Sequence, residues 1–334
     1  MNFKYTYILF SFLILGCGLT NNYNSINIVK DENFPKWLAS EQDTAKQTSG
    51  DIFIGVVNNK KHFLIVDDIG KIHRMIIDEN GTITLQPVNL SDKVNEYFKD
   101  FPKKDFEEIT MDKSTKYVYL SVEGNIPDPI KYTGIFRLIF ENNDIFNNNI
   151  VDIQQIDFEP KKEFDKYLKD NIAYEGLAVD NKYFYLALEG FAEKGIFADS
   201  TIIFIADKFT KKIIKEINTK KYGISTICGL YKNENDLYII DRNNKTIFKL
   251  NFDGLEVKEF SSIKLKTNIA GFENLDYVVS FESITMDNEN NIYLIDDPWS
   301  RYYIPGKEVQ KKLDSFTINN FNKYIPAIFR YKII

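Results

Sequence analysis

The chain repeats one pattern five times: an apolar strand, a short polar turn and a second apolar strand. The aligned copies are "DIFIGVVNNKKHFLIVDD" (51–68), "FEEITMDKSTKYVYLSVEG" (106–124), "YEGLAVDNKYFYLALEG" (174–190), "STICGLYKNENDLYIIDR" (225–242) and "FESITMDNENNIYLIDD" (281–297). A third strand follows every copy, and a fourth follows all but the last. Repeated four-stranded units without long helical crossovers predict an all-β fold, a β-propeller.

The repeats predict five blades, although a sixth could lie in the Asn-rich or Lys-rich connections. The last copy has no fourth strand before the chain stops at Ile334. We therefore expect the early segment "SINIVKD" (25–31) to supply that strand and close the ring. A sandwich of two sheets would also explain the strands, but it would not explain the acids that recur within them.

The first residues are predicted to lie outside the propeller. Lys4 precedes the apolar run "ILFSFLILG" (8–16), which is too short to span a bilayer. The following "ILGC" (14–17) resembles the lipobox of bacterial lipoproteins. The resemblance implies a signal peptide (1–16), a lipidated Cys17 with a tether (17–24), and one propeller domain (25–334). It also implies a lipid-anchored place in the bacterial cell envelope, periplasmic or surface-facing; the alternative is an ordinary secretory signal with a chance cysteine.

The overall charge limits the classes of partner. The formal net charge is -6, which disfavours nucleic-acid binding because that requires a basic face. The two cysteines are Cys17 and Cys228, so a lipidated Cys17 leaves no disulfide. We expect a monomer that contacts the membrane through the N-terminal lipid.

Carboxylates recur at two positions of the repeat. Successive strands of a blade reverse direction, so the start of the first strand and the end of the second lie on the same face of the ring. Acids at first-strand starts are Glu107, Glu175 and Glu282, and acids at second-strand ends are Asp67, Glu123, Glu189 and Asp297. The fourth copy differs, with Ser225 or Thr226 at the first position and Arg242 at the second.

Acids crowded at one mouth of the channel repel one another unless a cation neutralises them. Calcium, which takes six to eight oxygen ligands, is the cation that this pattern favours. The expected metal ligands are Glu107, Glu175, Glu282 and Thr226. Two alternatives remain open: the first-strand glutamates could accept backbone N–H groups of a neighbouring blade, or they could act in catalysis without a metal.

Long connections on the acidic face indicate that this face is the functional one. The longest, residues 298–326, begins immediately after Asp297. The residues expected to bind a small anionic molecule or a glycan are Asp297, Trp299, Arg301, Tyr302 and Arg242. The aromatic residues could instead simply cover the channel. The charge run "FPKKD" (101–105) is interpreted as a solvated surface.

The start "EGLAVD" (175–180), with Glu189 closing the next strand, resembles the phytase-like esterase and SdiA-regulated propeller families. Glutamates and a Ser/Thr in this order are also similar to five-bladed calcium-activated nucleotidases. The resemblance implies a calcium-dependent propeller. His62 and His73 are the only histidines, which puts a paraoxonase-like proton shuttle in doubt.

These observations favour a calcium-dependent hydrolase of an anionic ester, phosphoester or lactone. Glu189 or Glu123 would be the general base on water, and Arg301 or Arg242 would hold the anion. The alternative is a non-catalytic propeller that binds a ligand or a protein of the cell envelope. A strongly raised pKa beside an open pocket would favour the enzyme, whereas a channel plugged by Trp299 and Tyr302 would favour the binding module.

Overall fold

The computed structural model describes residues 26–191 and 199–334. The predicted signal peptide (1–16), Cys17 and the tether (17–24) lie outside the described residues. Among the helices of the described ranges, none has the length and apolar character needed to cross a lipid bilayer.

Strands make up most of the regular structure in these ranges. Two short strands come first, β1 (Ile28–Lys30) and β2 (Lys36–Trp37). Four groups of four strands follow. The first group is β3 (Thr48–Val57), β4 (Lys60–Asp67), β5 (Ile72–Ile77) and β6 (Ile83–Leu90), and the second is β7 (Asp105–Met111), β8 (Val118–Glu123), β9 (Gly134–Phe140) and β10 (Asn149–Ile156). The third group is β11 (Gly176–Val179), β12 (Tyr183–Ala187), β13 (Ile202–Asp207) and β14 (Ile213–Asn218), and the fourth is β15 (Gly229–Asn233), β16 (Asp236–Asp241), β17 (Thr246–Asp253) and β18 (Glu256–Lys264). The last strands are β19 (Phe281–Met286), β20 (Asn291–Asp296) and β21 (Ala327–Ile333).

Short helices lie in the connections between the strands. The α-helices are α1 (Asp92–Tyr97), α2 (Pro129–Tyr132), α3 (Lys161–Phe164), α4 (Lys307–Gln310) and α5 (Ser315–Asn322). Single 3₁₀ turns occupy Glu141–Asn143, Lys220–Tyr222 and Arg301–Tyr303.

The strands of each group pair antiparallel in chain order. The first strands contact one another in the cyclic order β3, β7, β11, β15, β19 and back to β3. This ring of inner strands, with a sheet extending outwards from each, is the architecture of a β-propeller, and the predicted fold is confirmed. Within the described ranges the strands form five such units, a grouping compatible with the predicted five blades.

The N-terminal segment completes the last unit, as predicted. Strand β1 pairs antiparallel with β21, with Ile28 opposite Ile333. An ion pair strengthens this contact, because Arg330 Nε donates to Asp31 Oδ2 at 2.7 Å. Closing the ring with the opposite end of the chain leaves fewer free strand edges.

One connection between units was not expected from the sequence. The outer strands β6 and β10 pair parallel over a short stretch, with Asn149 opposite Asn89 and Ile150 opposite Leu90. The first two units therefore form a single eight-stranded sheet.

Glycines allow the inner strands to approach one another closely. A Cβ on Gly50 would lie 2.8 Å from the Cα of Glu108, and one on Gly229 would lie 2.9 Å from the Cα of Ser283. A Cβ on Gly176 would lie 2.8 Å from Cγ of Leu230. The glycine that follows Glu175 in the repeat is thus explained by the packing of β11 against β15.

Aromatic side chains join neighbouring units further out. Phe63 of the first unit packs against Tyr293 of the fifth with ring centroids 4.8 Å apart. Tyr119 of the second unit packs edge-on against Phe184 of the third at 5.0 Å. Such pairs add to the free energy gained from burying apolar surface between the sheets.

His73 links the N-terminal segment to the first unit. Its Nδ1 lies 2.6 Å from Asp43 Oδ2, and its Nε2 lies 3.2 Å from Asp67 Oδ2. Burial alone would lower the pKa of His73, but hydrogen bonds to the two carboxylates and their charges outweigh it and raise the pKa to about 9. The residue is therefore an imidazolium at neutral pH.

This raised pKa makes part of the stability dependent on pH. A histidine whose pKa is higher in the folded than in the unfolded protein contributes stability that is complete below about pH 6.5 and is lost as the pH rises through about 9. We expect the free energy of unfolding to fall over this range by up to about 3 kcal/mol more in the wild type than in His73→Gln. Urea unfolding at several pH values measures this decrease. If the free energy of unfolding of the two proteins changed with pH in parallel, the raised pKa of His73 would be contradicted.

Candidate metal and ligand site

A cavity of about 370 Å³ opens at one mouth of the ring and is here called the acid cavity. Among the described residues, eight carboxyl groups and two cationic side chains line it. The carboxyl groups belong to Asp68, Asp105, Glu107, Glu123, Glu175, Glu189, Glu282 and Asp297, and the cations to Lys103 and Arg242. The structure thus brings together the three first-strand glutamates and three of the second-strand acids singled out in the sequence.

Three of these acids form an oxygen cluster on β7 and β8. One carboxylate oxygen from each of Asp105, Glu107 and Glu123 lies within 4.8 Å of the other two. Two oxygens on opposite sides of a calcium ion are up to about 5 Å apart, so the cluster has the dimensions of a calcium site. The donor atoms are all hard oxygens, as calcium requires.

The oxygen cluster also contains an unused ligand atom. Glu123 is buried, and its Oε1 has no hydrogen-bond partner among the described residues. Burial, followed by the charges of Glu175 and Asp105, raises the pKa of Glu123 well above its usual value. Burial and the charge of Glu123 do the same to the pKa of Glu107. A buried acceptor without a partner is costly, and a bound cation would satisfy it.

Lys103 partly neutralises the oxygen cluster. Its Nζ lies 2.7 Å and 2.8 Å from the two carboxylate oxygens of Asp105. Asn125 donates to the same carboxylate, with Nδ2 3.2 Å from Oδ2. The interpretation of residues 101–105 as a solvated charge run is therefore wrong for Asp105, which is buried at the acid cavity, whereas Lys103 is exposed at the edge of that cavity.

The opposite wall of the acid cavity already holds a cation. Arg242 forms ion pairs with Glu189 and with Glu282, and its Nη1 lies 2.6 Å from Glu282 Oε1. Ser280 donates to the same Glu282 oxygen at 2.6 Å. Arg242 belongs to the fourth unit and binds one acid of the third unit and one of the fifth. The fourth unit is the repeat in which an arginine replaces the second-strand acid.

Glu175 lies beside this ion-pair network. Burial is the main cause that raises its pKa, to about 8, although the charge of Arg242 opposes the increase. Its carboxylate, that of Glu189 and the thiol of Cys228 lie within 4.8 Å of one another. Burial and the charges of Glu282 and Glu175 raise the pKa of the Cys228 thiol well above its usual value, so it stays protonated.

The hydroxyl of Thr226, one of the expected metal ligands, forms a hydrogen bond within the protein. Its side chain is buried, and its hydroxyl donates to the backbone carbonyl of Glu189 at 3.0 Å. The hydroxyl therefore stabilises the connection between the third and fourth units.

One glutamate does accept backbone N–H groups, including one from another unit, but it lies one residue later in the repeat than the first-strand glutamates for which this role was considered. We call such a contact between units a staple. Glu108 is buried, and its Oε1 accepts from the Ile109 N–H at 3.0 Å. Its Oε2 accepts from the Leu230 N–H at 3.3 Å. Strands β7 and β15 are not neighbours in the ring, so this side chain joins two units across the channel.

In the first unit the acid of the cavity is also displaced by one residue. Asp67, placed by the alignment at the second-strand end, is buried against His73, and the next residue, Asp68, lines the acid cavity. Burial and the charge of Asp105 raise the pKa of Asp68 to about 7. The doubled acid "DD" (67–68) was the signal in the sequence that could have identified it.

A larger cavity of about 690 Å³ adjoins the acid cavity, and we call it the aromatic cleft. Its walls include Val278, Val279, Trp299, Tyr302 and Tyr303. Trp299 and Tyr302 are exposed.

The expected ligand-binding residues divide between the two cavities. Arg242 and Trp299 line both, Asp297 lines the acid cavity, and Tyr302 lines the aromatic cleft. Arg301 is exposed and lines neither of these two cavities. Asp297 is buried with an Oδ1 that has no hydrogen-bond partner among the described residues, which adds a second unused acceptor to the acid cavity.

Several solved structures resemble this chain. The GH43_1 enzyme from Xanthomonas citri, complexed with xylose, is 9% identical, and the match covers 89% of each chain with a TM-score of 0.51. The glutaminyl cyclase of Myxococcus xanthus is 9% identical over 92% of this chain and 97% of its own, with a TM-score of 0.49. The PQQ-bound aldose sugar dehydrogenase of Streptomyces coelicolor is 8% identical over 90% and 98%, with a TM-score of 0.45. At these identities the likeness concerns the fold alone.

The sequence comparison is more specific. Residues 141–304 match the model of the SdiA-regulated family, a family of β-propeller type. The resemblance to SdiA-regulated propellers that the "EGLAVD" motif indicated is thereby confirmed over this segment. No curated protein matches the chain.

Proposed function

We propose that this propeller is a calcium-dependent hydrolase of an anionic ester, phosphoester or lactone, exported and anchored to the cell envelope through a lipid on Cys17. The observation that carries the hydrolase proposal is the open acid cavity, in which acids with raised pKa values adjoin two buried carboxylate oxygens without partners. Perturbed acids in an open cavity are typical of catalytic sites.

Asp105, Glu107 and Glu123 would hold the calcium ion. They offer oxygens at suitable separations, and the free Oε1 of Glu123 has no other partner among the described residues. The opposite wall is less suitable because Arg242 already neutralises Glu189 and Glu282. Calcium would supply polarisation of the substrate oxygen.

Glu175 is the best candidate for the general base. A pKa of about 8 leaves it able both to accept and to return a proton near neutral pH. Glu189 is less suitable because its ion pair with Arg242 stabilises the carboxylate. In the proposed reaction water adds to the ester carbon or phosphorus, Glu175 takes a proton from the water, and the alcohol leaves with that proton.

The open acid cavity beside an acid with a raised pKa is the observation that favours the enzyme over the binding module. Trp299 lines this cavity and is exposed, whereas Tyr302 lines the aromatic cleft. Binding without turnover remains one outcome of the second experiment below.

Calcium should stabilise the protein through the oxygen cluster. A ligand present at about 100 times its Kd adds about 2.7 kcal/mol, which raises the Tm by several degrees. We expect this rise between EDTA and calcium in the wild type and in Glu96→Gln, a variant of an exposed acid outside the cavity. Glu123→Gln should unfold at an equal or higher temperature in EDTA, because burial and neighbouring acids already disfavour the carboxylate that the amide replaces, and should not respond to calcium. A calcium response that Glu123→Gln retains would refute this ligand assignment.

Calcium-dependent turnover should require Glu175. With p-nitrophenyl phosphate, a p-nitrophenyl ester and a lactone as substrates, we expect at least one to be hydrolysed, with EDTA abolishing the activity. Glu175→Gln should lower kcat by about 100-fold or more, the contribution usual for a general base, and Glu96→Gln should leave it unchanged. Calcium binding without turnover of any of these substrates would contradict the hydrolase proposal and support a non-catalytic binding module.

Lipidation of Cys17 can be tested on cells that produce the full chain. Metabolic labelling with an alkyne fatty acid should mark the wild type, which should fractionate with membranes. Cys17→Ser should be unlabelled and leave the membrane fraction, and Cys228→Ser is the matched control. Equal labelling of wild type and Cys17→Ser would show that the lipobox interpretation is wrong.

A further inference from the structure

The aromatic cleft exposes three large apolar side chains on one concave surface. The exposed fractions of Val278, Trp299 and Tyr302 are 41%, 52% and 71%, and all three line this one cavity. Isolated exposed apolar residues are ordinary, but a group of them in one concave surface indicates a binding site.

The rings of the cleft are held in place by local structure. Tyr303 packs edge-on against Trp299 at 5.6 Å and against Tyr302 at 5.4 Å between ring centroids. The 3₁₀ turn that carries the tyrosines is capped by Ser300, whose Oγ accepts from the Tyr302 N–H at 3.2 Å. Three rings fixed in this way form a wall that needs little reorganisation when a ligand binds.

The charged groups at the rim are paired with other protein groups. Lys245 Nζ donates to Thr267 Oγ1 at 3.2 Å and lies 3.6 Å from Asp276 Oδ2. Thr267 in turn donates to Asp276. The charges of Lys245 and Asp276 are therefore partly satisfied within the rim, and the aliphatic and aromatic walls are the main surface offered to a ligand. This favours an apolar occupant over a glycan, which would need several polar partners.

The aromatic cleft adjoins the acid cavity, and Arg242 and Trp299 lie in the walls of both. A molecule that spans the two would have an apolar body beside Trp299 and a polar head beyond Arg242. The guanidinium at the junction is already paired with Glu189 and Glu282, so a negatively charged head would depend on the calcium ion of the proposed function.

We propose that the aromatic cleft binds the apolar part of an amphiphilic anionic ester, such as an alkyl or aryl phosphoester, whose charged head enters the acid cavity. The position of the head rests on the proposed function, whereas the apolar subsite stands on the walls of the cleft. The substrate class is thereby narrowed from anionic esters in general to those with a hydrophobic group.

The chain itself offers a reporter for this subsite. Its two tryptophans are Trp37 and Trp299, and Trp37 packs edge-on against Phe321 at 5.0 Å, away from the cleft. In Trp37→Phe, tryptophan fluorescence therefore comes from Trp299 alone. Titration of this full-length variant with octyl phosphate should shift the emission to shorter wavelength, because the indole loses contact with water. Glucose 6-phosphate, with the same head and a polar body, should bind at least ten-fold more weakly.

Variants in the same background localise the effect. Val278→Asp and Tyr302→Ala should each raise the Kd for octyl phosphate by about ten-fold. Phe209→Ala, which removes an exposed apolar side chain elsewhere, should leave it unchanged. Equal or tighter binding of glucose 6-phosphate, or the absence of a shift with octyl phosphate, would overturn the proposal.

Titration in EDTA and in calcium separates this proposal from the proposed function. Preference for octyl phosphate in both conditions supports the apolar subsite even if calcium has no effect, a result that would count against the cation site. Loss of that preference alongside a retained calcium effect on Tm would refute the subsite and leave the cation site standing.

Discussion

Repulsion among carboxyl groups at one mouth of the ring is the constraint on which the whole site depends. Strand reversal within each blade delivers first-strand starts and second-strand ends to the same face, so acids that recur in the sequence converge in space. Burial strengthens the repulsion and raises the pKa values of Glu107 and Glu123. The fold tolerates this because Lys103 and Arg242 neutralise part of the charge, and because the remaining acids can hold protons or a cation.

The two walls of the cavity resolve the repulsion differently. On the wall formed by Glu189 and Glu282, a guanidinium supplied by the irregular fourth repeat connects acids from two other units. On the wall formed by Asp105, Glu107 and Glu123, the ammonium of Lys103 reaches Asp105, and a buried oxygen of Glu123 remains without a partner. The arginine in the fourth repeat thus makes the two walls different. The wall beside the aromatic cleft is ion-paired, and the other wall is suited to a metal ion.

The repeat allowed the propeller, its N-terminal closing strand and the convergence of six acids to be predicted, because these follow from strand order alone. Which of two adjacent acids faces the cavity and which makes other contacts could not be predicted. Glu107 faces the cavity while Glu108 staples β15, and Asp68 rather than Asp67 lines the cavity, because such differences depend on side-chain direction after an irregular strand pairing. Lys103 and Asp105 were missed because a short charge run gives no sign of which face it will occupy.

The parallel contact between β6 and β10 has a mechanical consequence. It joins the first two units into one continuous sheet, which carries Asp68 and the entire oxygen cluster. The remaining units, which carry Arg242 and the aromatic cleft, are linked to that sheet by the inner ring, by side-chain packing and by an isolated parallel bridge between Glu159 and Lys212. A small breathing motion in which each unit moves as a rigid body would leave the separations within the oxygen cluster nearly constant, because Asp105, Glu107 and Glu123 lie on one hairpin, and would change the gap between the two walls of the acid cavity.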